Sequence, residues 1–172
     1  IFFGYQAGLC NTTGYNNHFI GGLAGRSNTT GLHNNFFGNA AGCLNTTGCF
    51  NNFFGYLAGT CNTTGCYNNF FGYLAGRNNT TGTQNVFIGG NAGTSNTFGN
   101  HNTFLGAAGV SNTTGGCNIF IGCASGYFNT FGSSNTFLGA YTGNRNTTGN
   151  HNFFGGYSAG FSNTTGDRKS TR

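Results

Sequence analysis

The stretch "NNFFGYLAGTCNTTGCYNNFFGYLAG", Asn51 to Gly76, states Asn-Asn-Phe-Phe-Gly-Tyr-Leu-Ala-Gly and then restates it 17 residues later. Glycine interrupts it every three to six positions, so no helix-length run exists inside it. Paired-helix solenoids need about 33 residues or more per repeat. Strands of a few residues joined by tight turns do fit, and the same phrase extends in both directions.

Aligned on this stretch, the chain is a 17-residue unit: Asn, variable, Phe, large apolar, Gly, two variable, Ala, Gly, two variable, Asn, Thr, Thr, Gly, two variable. It recurs about ten times, as fixed-period repeat architectures do. The first asparagine is Asn17, Asn34, Asn51, Asn68, Asn85, Asn102, Asn118, Asn135 and Asn152. The phenylalanine two places on is Phe2, Phe19, Phe36, Phe53, Phe70, Phe87, Phe104, Phe120, Phe137 and Phe154. The second asparagine runs Asn11, Asn28, Asn45, Asn62, Asn79, Asn96, Asn112, Asn129, Asn146 and Asn163, always followed by Thr. One unit is a residue short, at Gly106-Ala107-Ala108-Gly109.

These columns predict an all-β fold: a β-solenoid (β-helix) of about ten 17-residue coils over residues 1–166, followed by a short basic tail, 167–172. Coils stacked at the strand spacing of about 4.8 Å make a rod roughly 50 Å long. Each column then becomes a ladder. The Phe column stacks as the apolar core, the Asn columns pass hydrogen bonds from coil to coil, and Gly supplies tight turns.

Composition narrows the function. Charged residues are 4% of the chain, with Asp167 the sole acidic residue, while Phe numbers 20 and Tyr 8. A single carboxylate leaves little acid-base chemistry, and the aromatic content opposes disorder. The net charge of +5 is concentrated in the tail (Arg168, Lys169, Arg172), leaving Arg26, Arg77 and Arg145 in the body. Three scattered arginines make no basic stripe, so a nucleic-acid partner is not expected. No apolar run is long enough to cross a membrane as a helix. Neither an initiator Met nor a signal-peptide pattern stands at Ile1, and the chain opens in mid-repeat, so it reads as a processed product or fragment. An extracellular setting is expected.

The residue after each core Phe is also large and apolar: Phe3, Ile20, Phe37, Phe54, Phe71, Ile88, Leu105, Ile121 and Leu138. Strand neighbours point to opposite faces, so this column points outward. An apolar stripe of that length predicts cover by another chain, making it the candidate assembly interface.

Asn-x-Thr sequons at Asn11, Asn28, Asn45, Asn62, Asn79, Asn112, Asn146 and Asn163 are candidate glycosylation sites. The second Thr becomes Phe98 and Phe131, which reads as a core-facing position, with the Asn also inside and the first Thr (Thr12, Thr29, Thr46) outside. Of the seven cysteines, Cys49 and Cys66 share a column at a separation a disulfide tolerates. Cys43 and Cys61 are diagonal neighbours and candidates too, with Cys10 left for an intermolecular bond; small buried filler is the alternative. His33, His101 and His151 share a column several coils apart and cannot hold one ion together. No metal, cofactor or catalytic constellation is expected.

The motif "NTTGTQNVFIGGNAG", Asn79 to Gly93, resembles low-complexity repeats of bacterial and phage tail-fibre-like surface proteins. The resemblance extends to Gly166. It implies an elongated, often trimeric stalk, commonly ahead of a C-terminal self-cleaving chaperone domain.

Three functional expectations follow. The first is a structural subunit of an extracellular filament or virion-associated fibre, with itself as partner, assembling laterally and by end-to-end coil stacking. The second is an ice-binding solenoid with an outward Thr ladder. The third is a carbohydrate-binding adhesin shaft that engages surface glycans through Tyr5, Tyr56, Tyr73 and Tyr157, which share a column.

Overall fold

The structure, a computed structural model, describes residues 1–171. It contains one eleven-stranded sheet whose strands follow chain order, β1 (Phe2–Phe3), β2 (His18–Ile20), β3 (Asn35–Phe37), β4 (Asn52–Phe54), β5 (Asn69–Phe71), β6 (Val86–Ile88), β7 (Thr103–Leu105), β8 (Ile119–Ile121), β9 (Thr136–Leu138), β10 (Phe153–Gly155) and β11 (Ser170–Thr171). Every pairing is parallel and in register, Phe on Phe from Phe2↔Phe19 to Phe137↔Phe154. The expected all-β parallel solenoid, with its stacked Phe and Asn ladders, is therefore the fold.

The core is narrow and follows from the unit. Consecutive core Phe rings stack at 4.7–5.1 Å, with nearly parallel planes, from Phe2 to Phe154. Apart from the terminal Phe2 they are buried, against an inward column of Ala24, Ala41, Ala58, Ala75, Ala92 and Ala108. That column continues as Ser125 and Thr142, whose hydroxyls donate to Phe137 O and Gly139 O. No cavity opens among the described residues.

Both Asn columns are internal, and a buried amide must find partners for all its polar atoms. In the second column Asn62 Nδ2 donates to Asn45 Oδ1 at 2.7 Å and to the Gly65 carbonyl at 3.0 Å. In the first, Asn51 Nδ2 donates to that same Gly65 carbonyl at 2.8 Å, while its Oδ1 accepts the backbone N–H of Asn68. The two ladders thus converge on one glycine carbonyl per coil, and no buried side-chain polar atom among the described residues lacks a partner. Gly65 has to be glycine because a Cβ there would run into Asn62 Oδ1 and the Gly82 carbonyl. Gly59 turns with φ +56° against the face of Phe53, so a side chain there meets both strain and the ring.

Three features depart from expectation. The second Thr of Asn-Thr-Thr-Gly points outward: Phe98 and Phe131 in that column are 55% and 59% exposed. The segment is a turn and not a strand, because the N–H groups of Thr29, Thr30 and Gly31 all converge on the carbonyl of Thr46 in the next coil. Alternation therefore fails there.

The tail, expected to leave the repeat, continues it: Ser170 pairs with Phe153 and Thr171 with Phe154. Lys169 takes the place of the first Asn, its N–H donating to Asn152 Oδ1. Arg172 lies outside the described residues.

Finally, two turn columns are left-handed without glycine, one through Leu23, Leu57 and Leu74, the other through His33, Phe50 and Tyr67, with φ between +56° and +62°. The short unit has no residue of the first kind, since Ala108 N–H closes directly on the Gly106 carbonyl. The deletion removes a strained corner and leaves the ladder in step.

Candidate functional site

The strand face is the strongest candidate surface. In each three-residue strand the middle Phe points inward and its two neighbours outward, giving two parallel outward columns. In the column after Phe, Ile20, Phe71, Ile88, Leu105, Ile121 and Leu138 are 36–41% exposed and the terminal Phe3 is more so. Phe37 and Phe54 are half-buried because Phe37, Phe54 and Phe71 stack on one another at 4.7 and 4.9 Å. The column ends at Gly155.

The column before Phe was legible from the same alternation, though nothing in the repeat marks it. It reads His18, Asn35, Asn52, Asn69, Val86, Thr103, Ile119, Thr136 and Phe153. Its first part is a hydrogen-bonded ladder: His18 Nδ1 to Asn35 Oδ1 at 2.9 Å, Asn35 Nδ2 to Asn52 Oδ1 at 2.7 Å, and Asn52 Nδ2 to Asn69 Oδ1 at 2.8 Å. From Val86 onward it is apolar or threonine, so from β6 to β9 both columns are aliphatic or β-branched. Ten rung steps of about 4.8 Å and a width of three residues give the whole face, polar ladder included, a footprint of about 480 Å², of which the four rungs β6 to β9 make about 190 Å².

The threonines form a different surface. Thr29 Oγ1 donates to Thr46 O at 3.1 Å, and the pattern repeats from Thr12 to Thr147. The first Thr column is thus bonded to backbone, while the second is exposed but interrupted by Phe98 and Phe131. The sequon asparagines Asn28, Asn45, Asn62, Asn79, Asn112 and Asn146 are fully buried, each Nδ2 held by two oxygens. A glycan has no room there in the folded chain. Asn11 and Asn163, in the outer coils, are partly exposed.

Tyr5, Tyr56, Tyr73 and Tyr157 are exposed in one column, with Tyr56 and Tyr73 stacked at 5.7 Å. A second aromatic ladder stands at a variable position of the unit, where no repeat column marks it: Tyr15 meets His33 edge-on, and His33, Phe50 and Tyr67 stack at 4.9 and 5.0 Å on a left-handed corner.

All seven cysteines are free thiols, so neither candidate disulfide, Cys49 with Cys66 or Cys43 with Cys61, is formed. Burial pushes the Cys43 and Cys66 thiols up from their ordinary value, with Arg26 acting in the opposite direction on Cys43. Among the described residues no three His, Cys, Asp or Glu side chains converge as a metal cluster, and no helix is long and apolar enough to cross a membrane. No protein-family model matches the chain, and no similar curated protein or solved structure was found.

Proposed function

We propose that the chain is a structural subunit of an extracellular filament or fibre, joined side by side to further copies of itself through the outward strand face. The observation that carries this reading is the pair of outward columns, apolar along their C-terminal part and repeating at the strand spacing. A rigid periodic face is matched rung for rung only by a surface of equal period, and a second copy of this chain has one. A self-complementary contact of this kind is how most homo-oligomers form.

Two footprints of about 480 Å² bring the contact to about 1,000 Å², the lower limit for a specific interface. One contact is therefore weak, and because it closes on itself as a pair it uses the strand face once per chain; a filament grows by joining such pairs end to end through the unpaired strand edges of their terminal coils. The near absence of charge supports the same reading, since little electrostatic repulsion opposes close packing of shafts.

The other readings are less well supported. Ice binding calls for an unbroken, water-facing threonine array, whereas one Thr column spends its hydroxyl hydrogens on carbonyls and the other is broken by phenylalanine. A glycan-binding shaft rests on four tyrosines, of which two cover one another's faces. Electron microscopy of the purified chain tests the proposal: rods laid side by side are expected, and isolated rods at every concentration would overturn it.

A further inference from the structure

The surface of the coils that carry β3, β4 and β5 differs from the rest in its aromatic ladders. Phe37, Phe54 and Phe71 stack at 4.7 and 4.9 Å, their planes 4° and 7° apart. His33, Phe50 and Tyr67 stack just before these strands, and Tyr56 with Tyr73 just after them. Among the described residues, every parallel ring stack outside the core falls on these coils, whereas Tyr127 with Phe128 and Tyr141 with Tyr157 meet edge-on. Beside the Phe ladder, two residues back on the same face, runs the ladder of Asn35, Asn52 and Asn69. The two rails therefore stand about 6.6 Å apart, with a shallow groove between them along the rod.

Both rails of this groove call for the same complement. Rings stacked along the rod hide their faces in one another and turn their edges outward, and the edge is the positive side of an aromatic quadrupole. Asn35 Nδ2 and Asn52 Nδ2 each spend one hydrogen on the next amide, at 2.7 and 2.8 Å, and keep the other, while Asn69 Nδ2 has no acceptor in the ladder. Positive ring edges on one wall and spare amide hydrogens on the other match a flat, electron-rich π-face rimmed with oxygen acceptors. We infer that this groove binds an elongated planar aromatic molecule of the hydroxyanthraquinone class, laid lengthwise with its face against the ring edges. A fused-ring system covering two rung steps, about 9.6 Å, meets Phe37, Phe54 and Phe71 at once. Asp167 is the sole acidic residue and lies near the other end of the chain, so no carboxylate beside the groove repels such oxygens. From β6 to β9 the walls are uneven, because Val86, Thr103, Ile119 and Thr136 stand opposite Ile88, Leu105, Ile121 and Leu138.

The groove does not depend on self-association, but a partner on the strand face would cover it, so the test uses single rods. The full chain with Ile121→Lys and Leu138→Lys is diluted until sedimentation velocity shows one species of monomer mass. It is then titrated with quinizarin, a neutral dihydroxyanthraquinone, and followed by dye fluorescence and by induced circular dichroism in the visible band. Saturation at one dye per chain is expected. Phe54→Leu keeps an apolar side chain but breaks the ring ladder, and Asn52→Leu breaks the amide rail. Each is expected to weaken binding by roughly threefold to tenfold, the worth of one such contact, and the two together to abolish the induced signal. Leu105→Ala, in the uneven half, is expected to leave affinity unchanged, and far-ultraviolet circular dichroism verifies the fold of every variant. No saturable binding by single rods, or equal affinity of the Phe54→Leu, Asn52→Leu and Leu105→Ala chains, would overturn the proposal.

Discussion

The two halves of the outward strand face are built on one backbone, yet they treat their own polarity in opposite ways. From β2 to β5 the column before Phe is His18, Asn35, Asn52 and Asn69, and each side chain bonds to the next within the chain. From β6 to β9 the same column is Val86, Thr103, Ile119 and Thr136, beside Ile88, Leu105, Ile121 and Leu138. The first half meets many of its needs internally. The second leaves apolar area in water, which burial against a partner relieves. Behind both halves the Phe stack is unchanged, so the fold dictates the inward column and leaves the outward ones free to vary with use.

The sharpest break of that contrast is inward. Phe70→Ala opens a hole in a stack with rings above and below, and is expected to destabilise the chain by about 3–5 kcal/mol, read from chemical denaturation. Next comes Asn79→Ala, which takes a partner from Asn62 Oδ1, Asn96 Nδ2 and the Gly82 carbonyl. Stranding buried polar groups is expected to cost about 1–3 kcal/mol in the same assay. Phe98→Thr is expected to change stability by less than about 0.5 kcal/mol, as exposed substitutions do. A loss of several kcal/mol there would return that column to the core.

The Phe98 case shows where the sequence was legible and where it was not. Period and alternation together located the Phe core, the buried Asn columns and the outward position of residues such as Ile121, because each depends only on one strand repeated in register. Alternation misplaced Phe98 and Phe131, since the Thr-Thr-Gly backbone bends to aim three N–H groups at one carbonyl. Residue identity also concealed the continuation through Arg168 and Lys169: the rung there is made by backbone groups, and Lys169 needs only its N–H to donate to Asn152 Oδ1. Left-handed corners at Leu57 and Tyr67 were invisible for the related reason that such turns are sought at glycine. Columns place Cys49 and Cys66 on adjacent coils, but only the structure shows each sulfur accepting a backbone N–H from the coil before it, with both thiols free.

Association is where the two halves of the face should separate most clearly. Sedimentation velocity on the unmodified chain, on Ile121→Lys with Leu138→Lys, and on Asn52→Lys with Asn69→Lys applies the same added charge to each half. The account predicts that the unmodified chain sediments as multimers, that the first pair reduces it to single rods, and that the second leaves substantial association. A unmodified chain that stays monomeric, or two double variants that behave alike, would contradict it.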